Sequence, residues 1–273
     1  MIDLHAHTHY SDGTCSPGEL LELAYRKGLA ALAITDHDNL AGYDAALALP
    51  HSHAPRLICG IEITCKLGRK APHLLGYFLK GEPAPDFREW LTDRYEQRRD
   101  RNRRLEKRLQ ELGYEVELSE VESLGRSMTG RPHFARVLVR KGYFASIDEA
   151  FQRMLGEEAP AYVEHEAPPL AEAIHRVREA GGIASLAHPI RLALADEEGF
   201  LRGLKNDGMQ AVEVFHSDQP GPHAARYFEM ARKLELVPTG GSDFHGTVKP
   251  RVDLGCANVE NWVLEELLNI SGE

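Results

Sequence analysis

The chain has 273 residues, 42% hydrophobic and 27% charged, the balance of a soluble globular protein long enough to bury a core without covalent staples. Its net charge of −10 argues against holding duplex nucleic acid through a globally basic surface, and no apolar run approaches the roughly 18 residues that span a bilayer. The four cysteines, Cys15, Cys59, Cys65 and Cys256, show no metal-ligand or framework spacing; with no apolar leader pattern after Met1, a reducing cytoplasm is the expected compartment.

In chain order, short aliphatic runs alternate with helical patterns. Ile2–Leu4 predicts a first strand and opens the motif Asp3-Leu4-His5-Ala6-His7. Alternate side chains of a strand share a face, so His5 and His7 point the same way and can grip one metal ion. Asp12 follows in the loop Tyr10-Ser11-Asp12-Gly13-Thr14. Pro17–Lys27 predicts a helix, with Pro17 suited to its first turn and Gly28 to its stop. The strand Leu29–Ile34 then runs into Ile34-Thr35-Asp36-His37-Asp38, an acid–His–acid set at the strand end where α/β sites are built. Asp36 is there either as a ligand or as a partner that orients a histidine. The strand Leu57–Ile63 carries Cys59-Gly60-Ile61-Glu62, a glutamate placed either to bridge two metals or to face solvent, and His73 heads the next run, His73–Leu79.

Between Gly81 and Ala167 the rhythm changes. A charged helical pattern covers Asp86 to Leu112, a short strand is expected at Tyr114–Leu118, and Pro160, Pro168 and Pro169 close the segment. The expected division is a barrel from residues 1–80 and 168–273, interrupted by a mostly helical insertion at 81–167. Arg94, Arg98, Arg99, Arg101, Arg103, Arg104 and Arg108 crowd the long helix, with Asp93, Glu96, Asp100 and Glu106 interleaved. That pattern favours a solvated face held by i,i+4 pairs; the alternative is that some of the arginines face the site and hold a second phosphate or an RNA backbone. In Thr129-Gly130-Arg131-Pro132-His133-Phe134-Ala135-Arg136, Pro132 suits a helix's first turn, where free N–H groups attract anions and Arg131 can take a phosphate bidentately. The plainer reading is an ordinary helix start with Arg131 in solvent.

After the helix Pro169–Ala180, stopped at Gly181, the run Ile183–Ala187 ends in Ser185-Leu186-Ala187-His188-Pro189. Ala211–Phe215 is followed by His216, which is either a substrate contact or a rim residue. A helix over His223–Lys233 leads to the strand Leu236–Thr239 and then to Gly240-Gly241-Ser242-Asp243-Phe244-His245. Strands alternating with helices predict a parallel sheet with helical crossovers, and a barrel built that way gathers its strand ends on one face.

Together these motifs, from His5 to His245, resemble the PHP family, named for its polymerase and histidinol-phosphatase members. The resemblance implies an α/β fold, a distorted (β/α)7 TIM-like barrel, with two or three divalent metal ions at the C-terminal face. Manganese is favoured, and Fe or Zn²⁺ also suit a mixed imidazole and carboxylate set. By motif, His5, His7, Glu62 and Asp243 would hold one ion. Glu62, His73 and His188 would hold a second, with Glu62 bridging, and Asp12, His37 and His245 a third. Many trinuclear members have histidine where this chain has Asp12, so a harder third site is expected.

The Gly130-Arg131-Pro132-His133 segment resembles a branch that includes 3′,5′-nucleotide bisphosphate phosphatases and 5′→3′ exoribonucleases. It implies Arg131 and His133, with His216, as substrate contacts. The expected reaction is attack on phosphorus by a metal-activated hydroxide. Adenosine 3′,5′-bisphosphate going to AMP is the first expectation and a short 5′-phosphorylated RNA the second; no membrane partner is expected. An amidohydrolase-type C–N hydrolase would need a lysine where Glu62 stands, and a non-catalytic accessory domain would tend to lose ligands that are all present here.

Overall fold

The structure is a computed structural model that describes residues 1–50, 55–68, 70–124, 129–164, 167–219 and 221–272. Seven strands form one sheet in sequence order: β1 (Ile2–Ala6), β2 (Ala31–Ile34), β3 (Arg56–Thr64), β4 (His73–Phe78), β5 (Ile183–Leu186), β6 (Ala211–His216) and β7 (Val237–Gly241). The segment after β7 closes the ring onto β1. Asp243 N–H donates to the His5 carbonyl (2.8 Å) and His7 N–H to the Phe244 carbonyl (2.9 Å). Asp3, fully buried, accepts from Ser242 N–H (3.0 Å) and Gly255 N–H (2.7 Å) and so pins the same seam. Gly241 must be glycine there, because a Cβ would sit 2.3 Å from the His5 nitrogen.

The sheet is not wholly parallel. β4 runs antiparallel to both β3 and β5, pairing Thr64 with His73 and Glu62 with Leu75. The reversal corrects the all-parallel expectation, and its cause is a connection too short for a helical crossover between Thr64 and His73. It also has a consequence for the site. A reversed β4 begins at the rim where its neighbours end, so its first residue, His73, joins their last ones.

Around the sheet stand α1 (Pro17–Arg26), α2 (Ala41–Leu47), α3 (Pro85–Glu111), α4 (Leu118–Glu122), α5 (Arg131–Arg140), α6 (Ile147–Ala150), α7 (Leu170–Glu179), α8 (Glu197–Asn206), α9 (Gly221–Lys233) and α10 (Trp262–Ser271). α1 starts on a capping box of Ser16 and Glu19 with Pro17 in its first turn, and Gly28 follows it at φ +67. Leu20, Ile174, Leu201 and Tyr227 from α1, α7, α8 and α9 share one core cluster with Leu32, Ile34 and Ile61 of the sheet. α10 adds Val263 and Leu267 to a second cluster with Ile58, Leu75 and Tyr77.

The first turns of α3 belong to the barrel, since Phe87, Trp90 and Leu91 join the cluster of α1 and α7. Its far end does not. Leu105 and Leu109 pack with Val121, Phe134, Leu138 and Leu155 in a cluster of their own. On that basis we propose that residues 81–167 form an insertion unit between two barrel segments, 1–80 and 168–273. The strand expected at Tyr114–Leu118 is absent. Residues 114–117 are irregular, Leu118 opens α4, and the Tyr114 ring stacks on Phe144, there being no neighbouring strand for the segment to pair with. Phe151–Leu155 forms a π-helical turn, a local device often found beside functional sites.

Candidate metal centre and substrate cleft

The nine expected ligands gather at the rim where β1, β2, β3, β5 and β7 end and β4 begins. Glu62 is the hub. Its Oε2 lies 3.3 Å from His5 Nε2, 3.1 Å from His7 Nε2 and 3.3 Å from His37 Nδ1. Its Oε1 lies 2.9 Å from both His73 Nδ1 and His188 Nε2. A parallel bridge continues the β2–β3 ladder past Ile34 and sets His37 beside Glu62. Asp243 Oδ1 is 3.4 Å from His5 Nε2 and from His7 Nε2, and Asp12 Oδ1 is 3.2 Å from His245 Nε2.

Three of the possible donor groups follow. His5, His7, Glu62 and Asp243 make one; His7, Asp12, His37 and His245 make another; His37, Glu62 and His73 make a third. His7 and His37 are thus each shared between two groups, which alternation along single strands does not reveal. His188 reaches Glu62 from the far side, at the end of β5. Both His188 and Asp243 hold positive φ, +27 and +57, a strained backbone that sites tolerate when the side chain's aim matters.

The donor set fits divalent ions. His5 Nε2, His7 Nε2, Asp12 Oδ1 and His37 Nδ1 are buried without a hydrogen-bond partner among the described residues, a costly arrangement for a core and the natural one for ligands. Burial holds His37 down to about 3 and His188 to about 4, so both rings are neutral and ready to ligate. Asp12 and Glu62 lie below the usual carboxylate range: burial works to raise them, but the surrounding cluster of histidines outweighs it.

His7 is different. Burial works against its proton, yet the carboxylates of Asp243 and Glu62, 3.4 and 3.1 Å from its Nε2, prevail and raise it to about 9. A bound cation must displace that proton, so affinity should climb by about tenfold per pH unit for each proton released and flatten above about pH 9. Calorimetric Mn²⁺ titrations of the chelator-stripped protein at several pH values would check this, and an affinity independent of pH would refute it.

Residues that strand-end reading did not single out hold this centre in shape. Glu213, fully buried on β6, accepts from His5 Nδ1 (2.9 Å) and from the His188 N–H (2.7 Å), which fixes the His5 tautomer with Nε2 toward the centre. Its signal was present, three positions before His216 at a strand end. Asp36 is in none of the candidate donor groups. It accepts from Thr8 N–H (2.8 Å), Thr8 Oγ1 (2.6 Å) and Ser11 Oγ (2.6 Å), bracing the loop that carries Asp12. Arg191 and Lys249 both donate to Asp243 Oδ2, at 2.9 and 2.6 Å, leaving Oδ1 to the histidines.

His216 Nδ1 accepts from the Asp218 N–H (2.9 Å), so its Nε2 carries the hydrogen, 3.4 Å from Asp243 Oδ2. It is buried behind that carboxylate and does not line the cleft. The cleft itself, of about 340 Å³, opens over Asp12, His37, Glu62, His73, Asp243 and His245, and its wall includes Arg98, Arg101, Arg131 and His133 from α3 and α5. Arg131 is wedged over the Tyr162 and Phe151 rings and bonds the Leu155 carbonyl (3.2 Å). Burial keeps the His133 ring below its ordinary range and so neutral.

Among the described residues no helix is long and apolar enough to cross a membrane. All four cysteines are free.

The PHP domain family model matches residues 3–155. A 5′-3′ exoribonuclease of Haemophilus influenzae is 31% identical over 89% of this chain and 89% of its own. A phosphoribosyl 1,2-cyclic phosphate 1,2-diphosphodiesterase of Eggerthella lenta is 33% identical over 89% and 94%, and a 3′,5′-nucleoside bisphosphate phosphatase of Chromobacterium violaceum 29% over 93% and 90%. The crystal structure of a protein described as a metal-dependent phosphoesterase of Bifidobacterium adolescentis superposes with a TM-score of 0.86 at 30% identity, over 98% of this chain and 95% of that one. A histidine and carboxylate centre at the rim of a seven-stranded barrel, matched along this length, makes the chain a member of the PHP family and a metal-dependent phosphoesterase.

Proposed function

We propose that the chain removes the 3′-phosphate from nucleoside 3′,5′-bisphosphates, with adenosine 3′,5′-bisphosphate giving AMP as the best case, in a reducing cytoplasm and with Mn²⁺ as the favoured ion. The observation that carries this reading is the cleft, in which donor groups for metal ions face a wall of cationic side chains across about 340 Å³, room for one nucleotide and not for a duplex. The Chromobacterium relative bears the name of that activity.

When bound, divalent ions lower the pKa of water so that hydroxide exists at neutral pH, and they neutralise charge on the phosphoryl oxygens. The chain's own residues do the rest. Arg191 and Lys249 hold Asp243 Oδ2 and keep Oδ1 facing His5 and His7, while Glu213 fixes His5. Arg131, held over the Phe151 and Tyr162 rings and bonded to the Leu155 carbonyl, presents its guanidinium to an arriving anion at a reduced ordering cost.

A 5′→3′ exoribonuclease is the second reading. What favours it is a further cavity of about 370 Å³ that shares Thr64, Ala71 and Arg131 with the cleft and adds Lys66, Lys70 and Tyr162, space for a following nucleotide. The test is phosphate release with Mn²⁺ from adenosine 3′,5′-bisphosphate beside nucleotide release from a short 5′-phosphorylated RNA, each repeated with a chelator. Faster turnover of the bisphosphate supports the first reading and faster turnover of RNA the second; release from neither, with metal bound, overturns both.

A further inference from the structure

His216 does not line the cleft, and the reaction as described gives it no task. Its placement nevertheless breaks the regularity of the sheet. In an even strand, residues three apart face opposite sides. Glu213 and His216 do not: both side chains are fully buried, and His216 Nε2 lies 4.0 Å from Glu213 Oε2. The cause is a bulge. Glu213 pairs with Thr239 and Phe215 with Gly240, so β6 takes two steps where β7 takes one. His216, opposite Gly241, thereby returns to the face of Glu213. Gly240 makes room for the bulge, since a Cβ there would lie 2.5 Å from the Phe215 carbonyl oxygen. Gln219, itself 4% exposed, closes it by donating through Nε2 to the Val214 and Glu213 carbonyls (2.7 and 3.2 Å).

The ring is also fixed in tautomer. Asp218 N–H donates to Nδ1, so the hydrogen is on Nε2, which is buried with no hydrogen-bond partner among the described residues. A donor left over in the interior calls for an acceptor. The one in front of it is Asp243 Oδ2, 3.4 Å away, on a residue whose own φ is +57. His5, Glu213 and His216 also stand close enough to form a further donor group for an ion. The hydrogens argue otherwise: His216 Nε2 carries one, and His5 Nδ1 gives one to Glu213. Arg191 and Lys249 donate to the same Oδ2, but both are partly exposed cations, and a divalent ion on Oδ1 repels them. Of the three donors, His216 is the neutral and fully buried one.

We propose that His216 is a positioning residue of the metal centre. Its Nε2–H holds Asp243 Oδ2, keeps Oδ1 turned toward His5 and His7, and so makes Asp243 a ligand through one oxygen. The proposal rests on the metal centre and not on which phosphate ester is hydrolysed. The bulge is then the means by which β6, which carries none of the nine expected ligands, braces the one that follows β7.

Two substitutions separate the ring's two nitrogens. His216→Asn keeps an acceptor near the place of Nδ1 for the Asp218 N–H but is too short to reach Asp243. His216→Gln puts an amide N–H near the place of Nε2 and gives up the bond to Asp218. Competition against a chelating dye measures Mn²⁺ affinity of the chelator-stripped proteins. It should fall by about 10- to 100-fold in His216→Asn and stay close to wild type in His216→Gln. The number of ions bound at saturation should be the same in all three proteins. Melting temperatures of the metal-free proteins supply the control. A histidine that only shapes the turn predicts the reverse order, with His216→Gln melting earliest and His216→Asn binding Mn²⁺ as wild type does; that result overturns the proposal. Equal affinity in all three proteins, or equal loss in both variants, overturns it too. So does one ion fewer in His216→Asn with the rest held normally, which would make His216 a ligand. If wild type itself takes up no Mn²⁺, the metal centre fails and the proposal with it, whereas in every other case the centre stands.

Discussion

Glu62→Gln should lower kcat/KM for phosphate release by about 10³-fold or more, the effect of losing several kcal/mol of metal-dependent stabilisation at 1.36 kcal/mol per tenfold. The reason is the number of partners on one side chain. Glu62 is 1% exposed, and its two oxygens face His5, His7, His37, His73 and His188, so it is common to two of the candidate donor groups. Glutamine keeps the shape but removes the negative charge and turns one acceptor into a donor aimed at imidazole nitrogens. The variant should therefore keep its fold and lose metal. Metal content after dialysis, read beside release from adenosine 3′,5′-bisphosphate, separates the two. A variant that binds metal normally and keeps activity within tenfold of wild type would remove Glu62 from the centre.

Glu213→Gln should weaken metal affinity by about 10- to 100-fold, the usual effect of losing a partner that orients a ligand. Glu213 touches no candidate ion in the group of His5, His7, Glu62 and Asp243; it accepts from His5 Nδ1 with one oxygen and from the His188 N–H with the other. An amide can serve one of these and not both. Either the His5 ring loses its fixed tautomer or the strained backbone at His188, φ +27, loses its anchor. Competition against a chelating dye measures the affinity. At saturating metal the KM for substrate should stay near that of wild type, because Glu213 does not line the cleft. Unchanged affinity would show that the His5 ring is held by packing alone.

The donor residues were legible because each carries a local signal. His5, Glu62, His188 and Asp243 stand at or just after the ends of aliphatic runs, and a barrel places such ends together whatever the details of its packing. His73 was set beside Glu62 by the family resemblance alone, since strand alternation gave no reason for the two to share a rim. That depended on β4 running backwards, which a short connection permits but no side-chain pattern announces. The absent strand at Tyr114–Leu118 is the converse case, an apolar alternation with no partner edge to pair with.

The sharing of His7 and His37 between donor groups, and the role of Glu213, depend on distances between residues far apart in the chain. The arginines of α3 show the limit most plainly. Arg98, Arg99, Arg101 and Arg103 are the same side chain on the same helix in the same charged stretch. Arg99 and Arg103 lie in surface ion pairs, whereas Arg98 and Arg101, three apart on one face, turn into the cleft. Helical periodicity says which residues share a face; what that face meets is fixed by where the helix docks. The sequence by itself therefore determined the family, the metal-binding residue types and the barrel. Tertiary structure alone decided which donors stand together and which arginines turn into the cleft, because those are matters of distance between segments the chain order keeps apart.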